Sequence, residues 1–328
     1  MRVSVVGCGS WGTAFARLLV LQGHEPTLIC RDAAQAEAIV RHRRNPRHLF
    51  DVELPEGLGA CALADADLSQ ADLVAIAVPS RAFAAVAAEV VPRAGGGSAL
   101  LSMTKGLDPA SGRRLSQIVG ELAGADRVAV LSGPNHAEEV ARDQPTASVV
   151  ASENDELARM LQRELSGRTM RVYASSDVAG VELCAASKNV IAIAAGVSDG
   201  LGYGDNAKAA IITRGMAEMS RLGEAFGAQP RTYMGMAGMG DLVATCTSVH
   251  SRNRKAGEML ATGVPTQWIE QEIGEVAEGL TAAPVVRDVA RERGIELPIT
   301  EAVCEVAFGG VAPLAALAGL MAREPVEE

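Results

Sequence analysis

Aromatic residues are scarce: Phe, Trp and Tyr make up 3% of the 328 residues. The core therefore has to be assembled from Ala, Val, Leu, Ile and Met. The hydrophobic share of 48% is ample for that purpose. Positive charge is in deficit. Lys and Arg number 30 against 40 Asp and Glu, a formal net charge of −10. General nucleic-acid binding wants a basic face and is excluded, although a local anion site is not. No apolar run approaches a membrane span in length, so no stable membrane insertion is expected. The six cysteines (Cys8, Cys30, Cys61, Cys184, Cys246, Cys304) show no CxxC pair and no His at zinc spacing. They read as reduced, mostly buried thiols, and no metal site is expected. No secretory leader is visible in MRVSVVG, which reads as a strand entering a glycine loop, so a cytoplasmic protein is expected. Repeats and low-complexity linkers are missing too, and the tail REPVEE reads as loose.

The chain length suits two domains. In the first half, apolar β-rich runs occupy Val3–Val6, Thr27–Cys30, Leu73–Val78, Ala99–Ser102, Val128–Leu131, Ser148–Val150 and Met170–Tyr173. Helical patterns such as Thr13–Gln22, Ala82–Val91 and Asp155–Glu164 lie between several of them. Continuous apolar strands alternating with helices predict a mostly parallel sheet covered on both faces. After about Ser176 the pattern changes to Ala/Leu/Ile/Met-rich stretches. Val178–Val197, Asn206–Phe226, Arg252–Thr262 and Ala282–Arg293 read as helices. The expectation is an α/β domain over residues 1–178 and an all-α domain over 179–328.

The stretch VVGCGSWGTAFARLL places Gly7, Gly9 and Gly12 in a G-x-G-x-x-G pattern between a strand and a helix. In that context the glycines serve a tight turn, a close approach of backbone to a pyrophosphate, and close helix–strand packing. The helix N-terminus then offers N–H groups and partial positive charge to the phosphates. The next strand ends at Cys30, followed by Arg31 and Asp32. Arg31 suits a ribose 2′-phosphate, which favours NADP(H). Asp32 leaves NAD(H) open. The basic run Arg41, Arg43, Arg44 and Arg47 reads as a solvated helix face.

Three further segments carry candidate chemistry. Lys105 in SMTKGLD and the Gly-Pro turn in SGPNHAEEV both follow strands. Lys188 lies in VELCAASKNVIAIAAGV, where the nine residues after it carry no charge. A lysine so placed is expected to be at least half buried, with its pKa drawn towards neutrality. Such a group can exchange a proton with a carbonyl oxygen. Asp241, following Gly238 and Gly240 in GMAGMGDLVATC, is the natural partner, and a helix there would put Asp241 and Thr245 on one face. Ser251 can cap a helix that opens Arg252–Asn253–Arg254, a suitable phosphomonoester site. Arg254 and Lys255 are expected to face water.

The blocks GCGSWGTA, SMTKGLD, SGPNHAEEV, SKNVIAIAAGVSDGLGYGDNAKAA, GMAGMGDLVATCTS and SRNRKAGE resemble, in order, the NAD(P)-dependent sn-glycerol-3-phosphate dehydrogenases of bacterial type. The resemblance implies a Rossmann-like domain followed by a helical domain, a cytoplasmic homodimer and a phosphorylated small-molecule substrate. It implies interconversion of dihydroxyacetone phosphate and sn-glycerol 3-phosphate, a precursor of phospholipids. Ser10, Trp11, Arg31, Lys105, Ala137, Arg252, Val276 and Glu278 match cofactor positions. Lys105, Gly133, Asn135, Lys188, Asp241, Ser251, Arg252 and Asn253 match substrate positions, with Lys188 the proton donor and acceptor and with Asp241 and Lys105 assisting. Two departures stand out. Asn135 and His136 replace a small hydroxyl residue and an aromatic, and EGLTAA lacks a basic residue. Related two-domain dehydrogenases of the β-hydroxyacid or 6-phosphogluconate type are the nearest alternative, and a non-catalytic NADPH-binding sensor is the other.

Overall fold

A computed structural model describes residues 1–323, so the last five residues of the REPVEE tail lie outside the described part. The chain divides into two compact units. One comprises Met1–Asp108 and Arg113–Glu182; the other comprises Pro109–Gly112 and the chain from Leu183 onward.

The first unit holds an eight-stranded sheet: β1 (Arg2–Val6), β2 (Glu25–Cys30), β3 (Gly59–Ala62), β4 (Leu73–Ile76), β5 (Ala99–Ser102), β6 (Val128–Ser132), β7 (Thr146–Ala151) and β8 (Met170–Ser175). Their spatial order is β3-β2-β1-β4-β5-β6-β7-β8. Every pairing is parallel except β6 with β7. Only β3 escapes the apolar pattern, because GACA offers no hydrophobic run. The helices are α1 (Ser10–Leu21), α2 (Ala33–His42), α3 (Ser80–Val90), α4 (Leu115–Ala123), α5 (Ala137–Val140) and α6 (Asp155–Leu165). Side chains alternate across a strand, so β1 feeds two cores. Val3 and Val5 pack with Phe15 and Leu19 of α1 and Leu161 and Leu165 of α6. Val6 packs on the other face with Phe83 and Val90 of α3 and Val119 of α4. The sheet is thus covered on both sides, as the continuous apolar strands require. β1 has β2 on one flank and β4 on the other. The chain reverses its winding there, and in such sheets ligands bind beyond the carboxyl ends at that reversal.

One expectation about this unit is overturned. Cys8 and Cys30 are not free thiols but a disulfide, with Cα atoms 5.2 Å apart. β1 and β2 are parallel neighbours, so residues at their carboxyl ends become adjacent although 22 positions separate them. Of the remaining cysteines, Cys61 is half-buried and Cys184, Cys246 and Cys304 are buried thiols.

The second unit is helical: α7 (Val178–Gly200, whose first turn belongs to the other unit), α8 (Asp205–Glu224), α9 (Pro230–Tyr233), α10 (Asp241–Thr247), α11 (Arg252–Ala261), α12 (Thr266–Ile273), α13 (Glu278–Glu292), α14 (Pro298–Phe308) and α15 (Pro313–Met321). Among the described residues no strand follows β8. Helix α7 corrects another expectation. At 23 residues with mean hydropathy 1.5, its apolar segment is long enough to cross a membrane. However, 89% of that segment is buried inside the protein, which makes it a core helix. Ile191 and Ala195 of α7 pack with Met216 and Met219 of α8, Leu242 and Cys246 of α10, and Ile299 of α14. The small residues of α7 have a second use. A Cβ on Gly196 would lie 1.9 Å from the Arg254 carbonyl, and one on Gly257 would lie 2.0 Å from that of Ile193. Backbone therefore meets backbone between α7 and α11, and the polar start of α11 is held against the helix that carries Lys188.

Candidate active-site residues

In the first unit the glycine turn follows β1. Gly7 has φ +116°, a conformation that side chains rarely adopt, and a Cβ there would lie 2.3 Å from the Ala77 carbonyl. A Cβ on Gly12 would meet the Gly7 carbonyl at 2.0 Å. Around Gly9 there is open space. Gly9 also caps α1 without any side-chain acceptor, and a helix start of this kind is suited to an anion. This combination of open backbone and uncapped helix fits a dinucleotide pyrophosphate. Ser10 Oγ lies 3.4 Å from His48 Nδ1, and the Trp11 ring sits 5.8 Å from that of Phe15.

The end of β2 carries the two residues weighed for the ribose. Arg31 is exposed and makes no ion pair among the described residues. Asp32 is engaged: its carboxylate caps α2 through the Ala34 N–H and pairs with Arg47. Those two contacts, the backbone N–H first, hold its pKa below the usual value. Within the basic run Arg41 does sit on the exposed helix face, but Arg43, Arg44 and Arg47 do not, because α2 ends at His42. Arg43 donates to the Leu58 carbonyl, Arg44 to that of Phe50 and Arg47 to Asp32, while Arg41 stays exposed.

Lys105, Gly133 and Asn135 come together. Lys105 Nζ donates to the Gly133 carbonyl and to Asn135 Oδ1, each at 2.9 Å. Lys105 follows β5 and Gly133 follows β6, so adjacent strands deliver them to the same end of the sheet. Asn135 stands where a smaller residue was expected, and its amide is held by a donation to Ser148 Oγ at 3.1 Å. Ser148, buried on β7, escaped the sequence reading. A serine inside the apolar run TASVVA was the available signal. Ala137 is buried and opens α5.

In the second unit Lys188 is 3% exposed and Asp241 2%. Lys188 Nζ donates to Asp241 Oδ1 at 2.6 Å and to Thr245 Oγ1 at 2.5 Å. The helix after Gly240 is present. Asp241 and Thr245 share a face of α10, and Thr245 Oγ1 donates on to the Asp241 carbonyl at 2.6 Å. Glu182, the nearest charged residue before Lys188 in the sequence, is taken up by Arg114 and Ser116, and burial pushes its carboxyl up. The glycine-rich turn before Asp241 brings backbone against backbone. A Cβ on Gly238 would lie 2.2 Å from the Tyr233 carbonyl, so its close approach is to Tyr233. Cys246, on the same helix as Asp241, has its thiol pushed up to about 12 by burial.

Ser251 caps α11 by accepting from the Arg254 N–H at 3.2 Å. Arg252 is part-exposed and lies 3.5 Å from Glu275. Val276 and Glu278 follow that glutamate at the entrance to α13 and are half-buried. Asn253 is buried. Its Oδ1 accepts from the Gly279 N–H at 2.8 Å and its Nδ2 donates to Asn189 Oδ1 at 2.9 Å. Asn189 was missed, although a second polar residue beside Lys188 in an apolar helix was visible. The expectation for Arg254 is wrong: it is largely buried and paired with Asp199 at 2.5 Å and Glu258 at 3.0 Å. Lys255 does face solvent. A groove of about 1440 Å³ in the same unit, lined by residues such as Ile211, Leu260 and Leu317, contains none of these candidates.

The chain matches the N-terminal profile of NAD-dependent glycerol-3-phosphate dehydrogenase over residues 2–158 and the C-terminal profile over residues 177–318. It is 43% identical to an NAD(P)-dependent glycerol-3-phosphate dehydrogenase of Salinibacter ruber, covering 99% of this chain and 96% of that one. Identity to the Streptomyces coelicolor enzyme of the same name is also 43%, over 100% of this chain and 98% of the relative. The crystal structure of glycerol-3-phosphate dehydrogenase from Coxiella burnetii superposes with a TM-score of 0.93 at 38% identity, covering 98% of this chain and 99% of that one. The chain belongs to the NAD-dependent glycerol-3-phosphate dehydrogenase family.

Proposed function

We propose that the chain interconverts dihydroxyacetone phosphate and sn-glycerol 3-phosphate with NAD(P)H, supplying glycerol phosphate for phospholipid synthesis. The observation that carries this reading is the buried Lys188–Asp241–Thr245 cluster, in a chain of this family. When bound, the reduced nicotinamide supplies a hydride to C2 of the ketone. Lys188 gives its proton to the carbonyl oxygen as negative charge builds there. Asp241 and Thr245 hold the ammonium in place and restrict its orientation. Lys105, held by the Gly133 carbonyl and Asn135, assists with its positive charge as the resemblance implies. Arg252 and the N–H groups opening α11 bind the phosphate. Asn253 supports that turn through Asn189 and Gly279, and its second amide N–H is available to a phosphate oxygen.

The first unit offers the dinucleotide Gly7–Gly12 and Ala137; Arg252, Val276 and Glu278, which belong to the second unit, are cofactor contacts that the resemblance implies. Arg31 selects NADPH by pairing with the 2′-phosphate, which is supported by the engagement of Asp32 elsewhere. The protein works as a cytoplasmic homodimer, as the resemblance implies. Oxidation of NADPH and of NADH, each followed with and without dihydroxyacetone phosphate, tests the reading. Oxidation that does not depend on the ketone phosphate with either cofactor would remove it.

A further inference from the structure

Asn45 lies in the loop after α2 and is fully buried. A buried amide is costly unless its hydrogen bonds are made. Here all four are made. Its Nδ2 donates to the Cys8 carbonyl at 3.0 Å and to Thr13 Oγ1 at 2.8 Å. Its Oδ1 accepts from Gln35 Nε2 at 3.0 Å and from the Arg47 N–H at 3.1 Å. That is the full capacity of an asparagine side chain.

The four partners are not scattered. Cys8 is the central residue of the Gly7–Cys8–Gly9 turn, and Thr13 lies near the start of α1. Gln35 belongs to α2, and Arg47 pairs with Asp32, next to Arg31. One amide therefore ties the pyrophosphate turn to the segment that carries the ribose-phosphate arginine. Gln35 Nε2 also donates to the Cys8 carbonyl, at 3.2 Å. In a trans peptide the C=O and the following N–H point in opposite directions. Holding the Cys8 carbonyl inward thus aims the Gly9 N–H away from Asn45. The disulfide sets where Cys8 sits; the amide sets which way its carbonyl points.

We infer that Asn45 is a positioning residue for the dinucleotide, acting through the Gly9 peptide and the first turn of α1. The inference rests on the dinucleotide reading of the first unit. The test is Asn45→Asp, which keeps the shape but turns an acceptor towards the Cys8 carbonyl. NADPH affinity, by fluorescence titration, should fall about tenfold or more. The KM for NADPH should rise in step, while kcat at saturating NADPH and the KM for dihydroxyacetone phosphate stay within about threefold. Gln35→Met, which removes the second donor to the Cys8 carbonyl, should shift NADPH affinity the same way by less, and it decides the matter if Asn45→Asp does not fold. Folded variants that bind NADPH as tightly as the parent, or that lose kcat instead of affinity, would overturn the inference. A parent protein that binds neither NADPH nor NADH would overturn the dinucleotide reading with it.

Discussion

Lys188 and Asp241, 53 positions apart, form a buried ion pair with Nζ 2.6 Å from Oδ1. The pair joins α7 to α10 inside one unit and leaves a charged amine where an apolar helix would otherwise be closed. Burying two charges is expensive, and a pair of this kind is weak evidence for stability. Its retention in a core of Ala, Ile and Cys is better explained by chemistry.

Replacing Lys188 with Ala should lower kcat/KM for dihydroxyacetone phosphate by about 10²–10⁴, the usual contribution of a positioned proton donor. NADPH affinity, measured by titration, should stay near that of the parent. Near-normal turnover would remove Lys188 from its role.

Asp241→Leu leaves the ammonium buried without a counter-charge and should destabilise the fold by about 3–5 kcal/mol, read from denaturant unfolding. Lys188→Met in addition should recover much of that loss and none of the turnover. Recovery of activity in the double variant would contradict the proposed chemistry.

Arg31→Ala should cost about tenfold or more in kcat/KM with NADPH and little with NADH, since a charge-assisted contact exists only to the 2′-phosphate. Initial rates with both cofactors check this. A parent enzyme that already prefers NADH more than tenfold would refute the role given to Arg31.

The disulfide is testable by alkylation and mass analysis. Without reductant, Cys8 and Cys30 should stay unlabelled. Cys246 and Cys304, with thiols pushed up to about 12 and about 11 by burial, should react slowly in the folded protein. Half-buried Cys61 should react first. Cys30→Ser should cost about 3 kcal/mol, the loop-closure value for a separation of 22 residues.

Glu218 offers a pH prediction. Burial raises its carboxyl above the ordinary 4.5, although the Ile299 and Thr300 N–H groups oppose that shift. Above 4.5 the folded chain keeps a proton that the unfolded chain has released, so stability falls as pH rises through that window. Relative to Glu218→Gln, the parent should lose stability between pH 4.5 and neutrality in denaturant titrations. A rising difference would mean that the folded carboxyl is lowered.

Much of the architecture was legible in the residues. Apolar strands and the G-x-G-x-x-G turn are local signals, because side-chain periodicity and backbone sterics act over a few positions. That is why seven of the eight strands, the uncapped start of α1 and the helical second half could be read directly, and why β3, with its weak GACA pattern, could not. The Lys188–Asp241 partnership was also readable, since a lone lysine in an apolar helix demands a counter-charge. What the sequence by itself determined, then, was which segments are strands and helices and which polar residues are out of place. The tertiary structure decided who meets whom. The neighbouring of β1 and β2 made Cys8 and Cys30 a disulfide, and that of β5 and β6 gathered Lys105 with Gly133. Contact of α7 with α11 drew Arg254 onto Asp199 and out of water. Asn45 became a hub only because the loop after α2 folds back under the glycine turn. Such contacts depend on strand order and helix packing, which no local pattern encodes.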